Sequence, residues 1–359
     1  MLQQTVSFIS LEKFISSQIN NHINLILNLR NDNISLEDAQ ILNLRLQKCI
    51  DLQSLTLNLS QNNIGQEIIS TIVQSISGCN QMEQLNIDLS ENKIDKNGAQ
   101  IIGCELINFK HLQILNINLN FNAISSEGAF HLIQSLKSVQ NLSSLVLKVC
   151  ENNISQLINH NLEYAFNGFQ CLSRLELYLG GNKICSQAAS NLFIALSKCP
   201  NLKDLQLSLV DNKIDDNVCN NISQQIKNYQ KLQNITFDLS FNKITAIGML
   251  ELISSFKKMQ QLKNLSVNLS YNNFRSSFEY DLQEYMQICT NIFKFLLFLN
   301  GNKIYSQDLN CLGIFLQTFK QLKFLELNLS NCNILKQNHE KLKFQAYKIS
   351  HLVKVDILF

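Results

Sequence analysis

Hydrophobic side chains recur along the whole chain with a period of 30 residues. One apolar column begins at Leu52 and ends at Leu352, and no insertion breaks its register. Three further columns begin at Leu55, Leu57 and Leu59, separated by polar residues. An alternation with a period of two predicts a β-strand that buries one face. Each repeat is therefore expected to begin with a half-buried strand.

The second half of each repeat has a different spacing. Ile72 and Ile76 begin two more apolar columns, four residues apart. Residues at i and i+4 share one face of a helix, so this half predicts an amphipathic helix. A unit of one strand and one helix buries its core only against neighbouring units. Twelve periods of 30 would need 360 residues, one more than the chain has, so the period accounts for the whole length.

Asparagine occupies one fixed position directly after the strand. The column comprises Asn62, Asn92, Asn122, Asn152, Asn182, Asn212, Asn242, Asn272 and Asn302. An amide both donates and accepts, so a buried asparagine can satisfy the backbone groups of neighbouring turns. The column predicts a structural asparagine ladder, and its ends at Asp32 and Cys332 fit positions that lack one neighbour.

The combined motif, L-x-x-L-x-L-x-L-x-x-N-x-I, resembles the leucine-rich repeat, most closely its long ribonuclease-inhibitor-like class. The resemblance covers residues 22–359 and implies an α/β solenoid, a horseshoe with a parallel concave sheet and convex helices. Two extra residues before the asparagine imply a longer strand than is usual in that family. We expect residues 22–359 to form eleven repeats plus a terminal strand in one solenoid domain. Residues 1–21 have apolar side chains at helical spacing and are expected to form an N-terminal helical cap.

The composition of the chain bears on two questions, which kind of partner it binds and in which cellular compartment it lies. The chain has 30 Lys and Arg against 28 Asp and Glu, a net charge of +2, and so lacks the basic footprint of a nucleic-acid-binding protein. Residues 1–10 lack a basic segment followed by an apolar core, so we expect no signal peptide, and no apolar run is long enough to cross a bilayer. Eleven cysteines without a disulfide pattern favour the cytoplasm, with the nucleus as an alternative.

Catalytic motifs are absent from the sequence. There is no glycine-rich phosphate loop, no kinase or hydrolase signature, and no histidine or cysteine spacing typical of a metal site. Four cysteines share a column before the first leucine, which is typical of small buried apolar residues. They are Cys49, Cys79, Cys199 and Cys289. We therefore expect no enzyme activity, no cofactor and no metal.

Candidate binding residues lie where the polar pattern of the concave face is interrupted. That face is expected to carry the columns that begin at residues 54, 56, 58 and 60. The interruptions are Arg174, Glu176 and Tyr178 in one repeat, Lys294, Leu296 and Phe298 in another, and Phe324 and Glu326 in the next strand. Exposed aromatic side chains of this kind anchor protein interfaces.

The turn that follows the strand forms a rim with its own candidates. Phe241 and Tyr271 either contribute to an interface or are partly buried by strand twist. Lys183, Lys213 and Lys243 form either a solvated edge or a docking edge for an acidic partner.

The sequence therefore favours a non-catalytic module that binds a protein or peptide on its concave face. The alternative is a regulator of a small GTPase that resembles Ran GTPase-activating proteins, for which Arg30 and Arg45 are the candidate arginines. The last strand, around Val355 and Ile357, leaves a free sheet edge, which either pairs with a partner or a second copy of the chain or is a tolerated short edge blunted by Lys354 and Asp356.

Overall fold

The computed structural model describes residues 5–17, 22–155, 162–256, 259–274, 291–332, 334–349 and 351–359. Two compact units divide the chain, Met1–Asn182 and Lys183–Phe359. Each unit is a series of strands that alternate with helices, and each is described by itself.

The first unit contains seven described strands, and each neighbouring pair is parallel. The strands are β1 (Thr5–Phe8), β2 (Asn24–Asn28), β3 (Ser54–Asn58), β4 (Gln84–Asp88), β5 (Ile114–Asn118), β6 (Ser144–Lys148) and β7 (Arg174–Tyr178). The helices are α1 (Leu11–Ser16), α2 (Leu36–Leu46), α3 (Gln66–Ser77), α4 (Lys96–Leu106), α5 (Ser125–Leu136) and α6 (Leu162–Phe166). From β2 onward, paired residues differ by 30 in number, as Leu25 and Leu55 do.

The second unit contains six described strands, again parallel and in chain order. They are β8 (Asp204–Ser208), β9 (Asn234–Asp238), β10 (Asn264–Asn268), β11 (Lys294–Phe298), β12 (Phe324–Asn328) and β13 (Lys354–Leu358). The helices are α7 (Ser186–Leu196), α8 (Asp216–Gln225), α9 (Ala246–Phe256), α10 (Ser306–Leu316) and α11 (Lys336–Tyr347). The predicted α/β repeat architecture is confirmed.

The core lies between the strands and the helices of each unit. Leu55, Leu57 and Leu59 are at most 1% exposed, and the helix residues Ile72 and Ile76 are buried as well. The strand side chains between them point to the opposite face, which we call the open face. The helix-column residues at 282 and 286 and the cysteine at 289 lie outside the described residues.

Backbone pairing continues past each strand, as the two extra residues of the motif suggested. The amide of Leu59 donates to the carbonyl of Asp88 at 2.8 Å, and the amide of Gln61 donates to Ser90 at 3.0 Å. Ser60, however, is only 4% exposed, because its hydroxyl donates to Asn58 Oδ1 at 2.8 Å as the chain turns. The prediction that this column lines the open face was wrong for the buried serines. They are Ser60, Ser90, Ser240 and Ser270.

Each asparagine of the ladder bonds its own turn to the turn of the preceding repeat. Asn182 is fully buried, and its Nδ2 donates to the carbonyls of Val149 at 2.9 Å and Leu179 at 3.0 Å. Its Oδ1 accepts from the backbone amides of Asn152 at 2.8 Å and Ile154 at 3.1 Å. The same pattern recurs at other members of the column, such as Asn62, Asn92 and Asn272.

The N-terminal segment holds a strand as well as the expected helix. β1 pairs with β2, and Phe14 of α1 is fully buried. Arg45 Nη2 donates to the carbonyls of Phe14 at 2.9 Å and Ser17 at 2.7 Å at the end of α1. This arginine therefore fixes the first helix to the body of the first unit.

Candidate functional site

A groove of about 580 Å³ lies on the open face of the first unit. Strands β3 to β7 contribute its walls, because their side chains at alternate positions all point to this face. Its apolar surface includes Ile114 and Val146, and its charged residues include Asp88, Lys148 and Arg174. A concave, partly apolar surface with a few polar groups is the usual form of a binding site.

Hydrogen bonds between strands organise the polar floor of this groove. Asn86 Nδ2 donates to Thr56 Oγ1 at 3.2 Å, and Asn116 in turn donates to Asn86 Oδ1. In the parallel column, Asn118 Nδ2 donates to Asp88 Oδ2 at 3.1 Å. These side chains hold one another in place, so a ligand meets a surface that is already ordered.

Arg174, Glu176 and Tyr178 form a connected charged cluster at one side of the groove. Strand alternation places all three on the open face of β7. Arg174 Nη2 contacts Glu176 Oε1 at 2.5 Å, and the Tyr178 hydroxyl donates to Glu176 Oε2 at 2.9 Å. Burial, followed by this hydrogen bond, raises the pKa of Tyr178 to about 12, so the phenol remains protonated at neutral pH. The glutamate charge is thus shared between two partners.

Lys148 completes the cluster from the neighbouring strand. Its Nζ lies 5.4 Å from the centre of the Tyr178 ring, a cation–π contact. No described residue forms an ion pair with this lysine. It is therefore the groove cation that is available to an acidic group of a ligand.

The other predicted partner-binding residues lie in the second unit. Register pairing brings Lys294 beside Phe324 and Leu296 beside Glu326 on the open face of β11 and β12. Phe298 points to the same face from the end of β11. Phe324 is 42% exposed, whereas Leu296 and Phe298 are half-buried. These side chains form a second apolar surface with one charge of each sign.

The rim residues of the second unit are also exposed. Phe241 and Tyr271 stack with ring centres 4.6 Å apart and planes inclined by 13°. Lys183, Lys213 and Lys243 lie in solvent and form no ion pair with the described part of the chain. Phe241 is 51% exposed and Tyr271 is 42% exposed, so both rings are partly buried, and their contribution to an interface stays a prediction.

Sequence reasoning missed most of the groove lining. Ile114, Val146 and Lys148 each replace a small polar residue in an open-face column, and such breaks are visible in the sequence. Only the structure shows that these breaks, on adjacent strands, share one groove with Arg174 and Glu176.

No group of three or more metal-ligating side chains gathers within the described ranges. No described helix combines the length and apolarity needed to cross a bilayer. Burial raises the pKa of the Cys79 and Cys199 thiols to about 12, so both remain protonated at neutral pH.

The two arginines weighed for a GTPase regulator have other contacts. Arg45 is engaged with the carbonyl groups at the end of α1. Arg30 Nε donates to Gln61 Oε1 at 3.2 Å on the surface. No observation favours that alternative function.

Comparisons with known proteins give one partial family match and solved structures of low identity. A leucine-rich repeat family model matches residues 51–73. Solved structures with 16% identity include a TLR13–ssRNA13 complex (TM-score 0.41, 87% of this chain and 55% of that chain). Internalin C2 from Listeria monocytogenes also has 16% identity (TM-score 0.37, 71% of this chain and 83% of that chain). The chain thus spans about half of the first of these structures.

A search of curated proteins found no match. The repeat motif, the family-model match confined to residues 51–73 and the regular alternation of parallel strands with helices support a leucine-rich repeat fold.

Proposed function

We propose that the chain is a non-catalytic interaction module whose open sheet face binds a protein or peptide. The observation that carries this proposal is the groove on β3 to β7, with its ordered polar floor and charged cluster. The groove offers apolar contact at Ile114 and Val146 and a cation at Lys148. This combination suits an extended peptide that presents an apolar side chain and an acidic one.

A protein ligand is favoured over a nucleic acid by the charges of the groove. Lys148 and Arg174 are offset by Asp88 and Glu176, and Glu176 already contacts Arg174. Nucleic-acid binding relies on many unpaired cations that replace counterions along the phosphates. The groove has one available cation, Lys148, which is enough to pair with a single acidic side chain of a peptide.

Peptide-display selection against the full chain tests this function. Binding of the selected peptides is then measured by calorimetry with the wild type, Lys148→Glu and Lys110→Glu. Lys110 is an exposed lysine outside the groove, so the control carries the same charge change. We expect Lys148→Glu to weaken binding at least about tenfold, since charge repulsion replaces attraction. Equal affinity of the two variants would show that the groove is not the binding site.

Three further assignments complete the proposal. The ribonuclease-inhibitor-like class is supported by the 30-residue strand–helix repeat. A capping role for residues 1–21 is supported by the pairing of β1 with β2 and by burial of Phe14. A cytoplasmic location is supported by the described cysteines, which form no disulfide with one another. The expectation of one solenoid domain across residues 22–359 remains a prediction.

Self-association through β13 also remains a prediction. β13 pairs with β12, and Lys354 contacts Asp356 at 2.8 Å on the same strand. Val355 and Ile357 are half-buried, whereas their counterparts in β12 are buried. Light scattering over a range of concentrations measures the association, and a constant monomer mass would contradict it.

A further inference from the structure

One position on the rim has a left-handed backbone in repeat after repeat. It directly precedes the ladder asparagine, and its φ lies between +51° and +74° from Asn31 to Asn331. L-amino acids other than asparagine and glycine are disfavoured there, because the Cβ atom crowds the backbone. The second unit nevertheless places large rings at two successive copies, Phe241 (φ +56°) and Tyr271 (φ +53°).

These two rings form a flat surface, which we call the aromatic platform. Phe241 is 51% exposed and Tyr271 is 42% exposed, while their faces stack on each other. The ring of Tyr271 then lies against Gly301, where an added Cβ atom would come within 2.4 Å of Tyr271 Cε1. The glycine leaves room for the ring, so the platform extends over three consecutive turns.

The fold itself does not require these rings. They add nothing to the buried core, and they occupy a backbone conformation that smaller residues adopt more readily. The other copies of this position in the second unit are Asp211, Gly301 and Asn331. A disfavoured conformation that holds an exposed aromatic pair points to a contact outside the chain.

Lysines on the same turns indicate that the partner at this surface is acidic. Lys213, Lys243 and Lys303 each follow a copy of the left-handed position by two residues, and all three are exposed. None has an ion pair with a described residue. Asp211 is the acidic residue among the copies of the left-handed position in this unit. The three lysines therefore place positive charge along the rim beside the aromatic platform, while the turn of Lys213 also carries Asp211, Asp215 and Asp216.

We propose that the aromatic platform binds an acidic protein segment that contains an aromatic side chain. The ligand ring stacks on the exposed rings, and its carboxylates pair with the rim lysines. This inference rests on the proposed function as a protein-binding module and adds a site separate from the groove. A polyanionic nucleic acid is less favoured, because Asp211 interrupts the rim and the whole chain carries only +2.

The test uses the full chain and a fluorescein-labelled peptide of alternating Glu and Tyr, followed by fluorescence anisotropy. The key variant is the double substitution Phe241→Asn with Tyr271→Asn, because asparagine suits the left-handed backbone. We expect its affinity to fall at least about tenfold while its thermal midpoint stays equal or rises. Phe121→Asn is the matched control, since Phe121 has φ +55° and 57% exposure but lies in the first unit. It should leave peptide affinity unchanged.

A second pair of substitutions tests the charge. Lys213→Glu with Lys243→Glu should weaken the same peptide at least about tenfold and reduce the salt dependence of binding. If the wild type shows no measurable binding of the Glu–Tyr peptide, the proposal is overturned. It is also overturned if the platform variant binds this peptide as tightly as the wild type does. Equal binding of a Lys–Tyr peptide also overturns it.

Single-stranded oligothymidylate should bind more weakly than the Glu–Tyr peptide. If it binds more tightly and loses affinity in the same variants, the ligand of the platform is a nucleic acid and the proposal of a protein ligand is overturned. Peptides selected on the groove, whose affinity falls in Lys148→Glu, should bind the double variant Phe241→Asn with Tyr271→Asn as tightly as the wild type. Failure at the platform is therefore distinguishable from failure of the groove.

Discussion

Replacement of Asn182 by alanine removes a connection between two turns of the first unit. The Asn182 side chain accepts hydrogen bonds from the backbone amides of Asn152 and Ile154, and it donates to the carbonyls of Val149 and Leu179. Asn182 and Asn152 are fully buried, so bulk water does not reach these groups in the wild type. Alanine leaves these four backbone groups without their partner.

The magnitude follows from those groups. A buried polar group that loses its partner costs about 1–3 kcal/mol, and part of this cost is relieved when water enters the space left by the side chain. At about 1 kcal/mol for each group, we expect Asn182→Ala to reduce the free energy of unfolding by about 3–4 kcal/mol. A domain of ordinary stability has about 5–15 kcal/mol in total, so the loss is large.

Urea denaturation followed by circular dichroism measures the change in free energy. Hydrogen exchange adds a local readout, because the amides of Asn152 and Ile154 should lose protection first. Asn141→Ala is the control, since Asn141 Nδ2 also bonds a neighbouring repeat, at Lys110 O and 2.7 Å, but is exposed. The control should lose less than about 1 kcal/mol. An unchanged midpoint and unchanged exchange in Asn182→Ala would refute the structural role of the ladder.

Three further predictions concern single positions. Gly301→Ala should lower the free energy of unfolding, measured by urea denaturation, by about 1–2 kcal/mol or more, because φ is +74° and the Tyr271 ring lies against the site. Gly78→Ala, at φ −68° with ordinary contacts, should be neutral or slightly stabilising. A thiol reagent at neutral pH should label exposed Cys104 and leave buried Cys79, whose pKa is raised to about 12, and mass spectrometry of the labelled peptides checks this. In the folded state the pKa of Tyr178 is raised from 10 to about 12. Its contribution to stability is therefore present below pH 10 and is lost as the pH rises to about 12. Over that pH range, the urea midpoint of Tyr178→Phe should decrease less steeply than that of the wild type.

The repeat period determined most of the fold from the sequence. Leu55, Leu57 and Leu59 are buried where the alternation placed them, and the strand at Ser54–Asn58 begins the repeat as expected. These features depend on residues that are close in the chain or exactly one period apart. The periodic pattern of the sequence therefore predicts the strands and their buried residues without knowledge of the whole molecule.

The candidate sites were predicted only in part. Arg174, Glu176 and Tyr178 were found because they interrupt a regular column, but Ile114 and Val146 were overlooked although they do the same. A single column shows which residues reach the open face and not which of them enclose a volume together. That depends on side-chain contacts between adjacent strands, such as those that order the floor of the groove.

Sequence alone thus determined the repeat unit, its buried columns and the direction in which strand side chains point. Tertiary structure decided that Ser60 is buried by its bond to Asn58, that a groove forms on the first unit, and that Phe241 and Tyr271 are exposed in a left-handed backbone. The physical reason is the range of the forces involved. Burial patterns are set by each repeat, whereas turns, stacks and grooves arise from contacts between repeats and from backbone angles that composition does not specify.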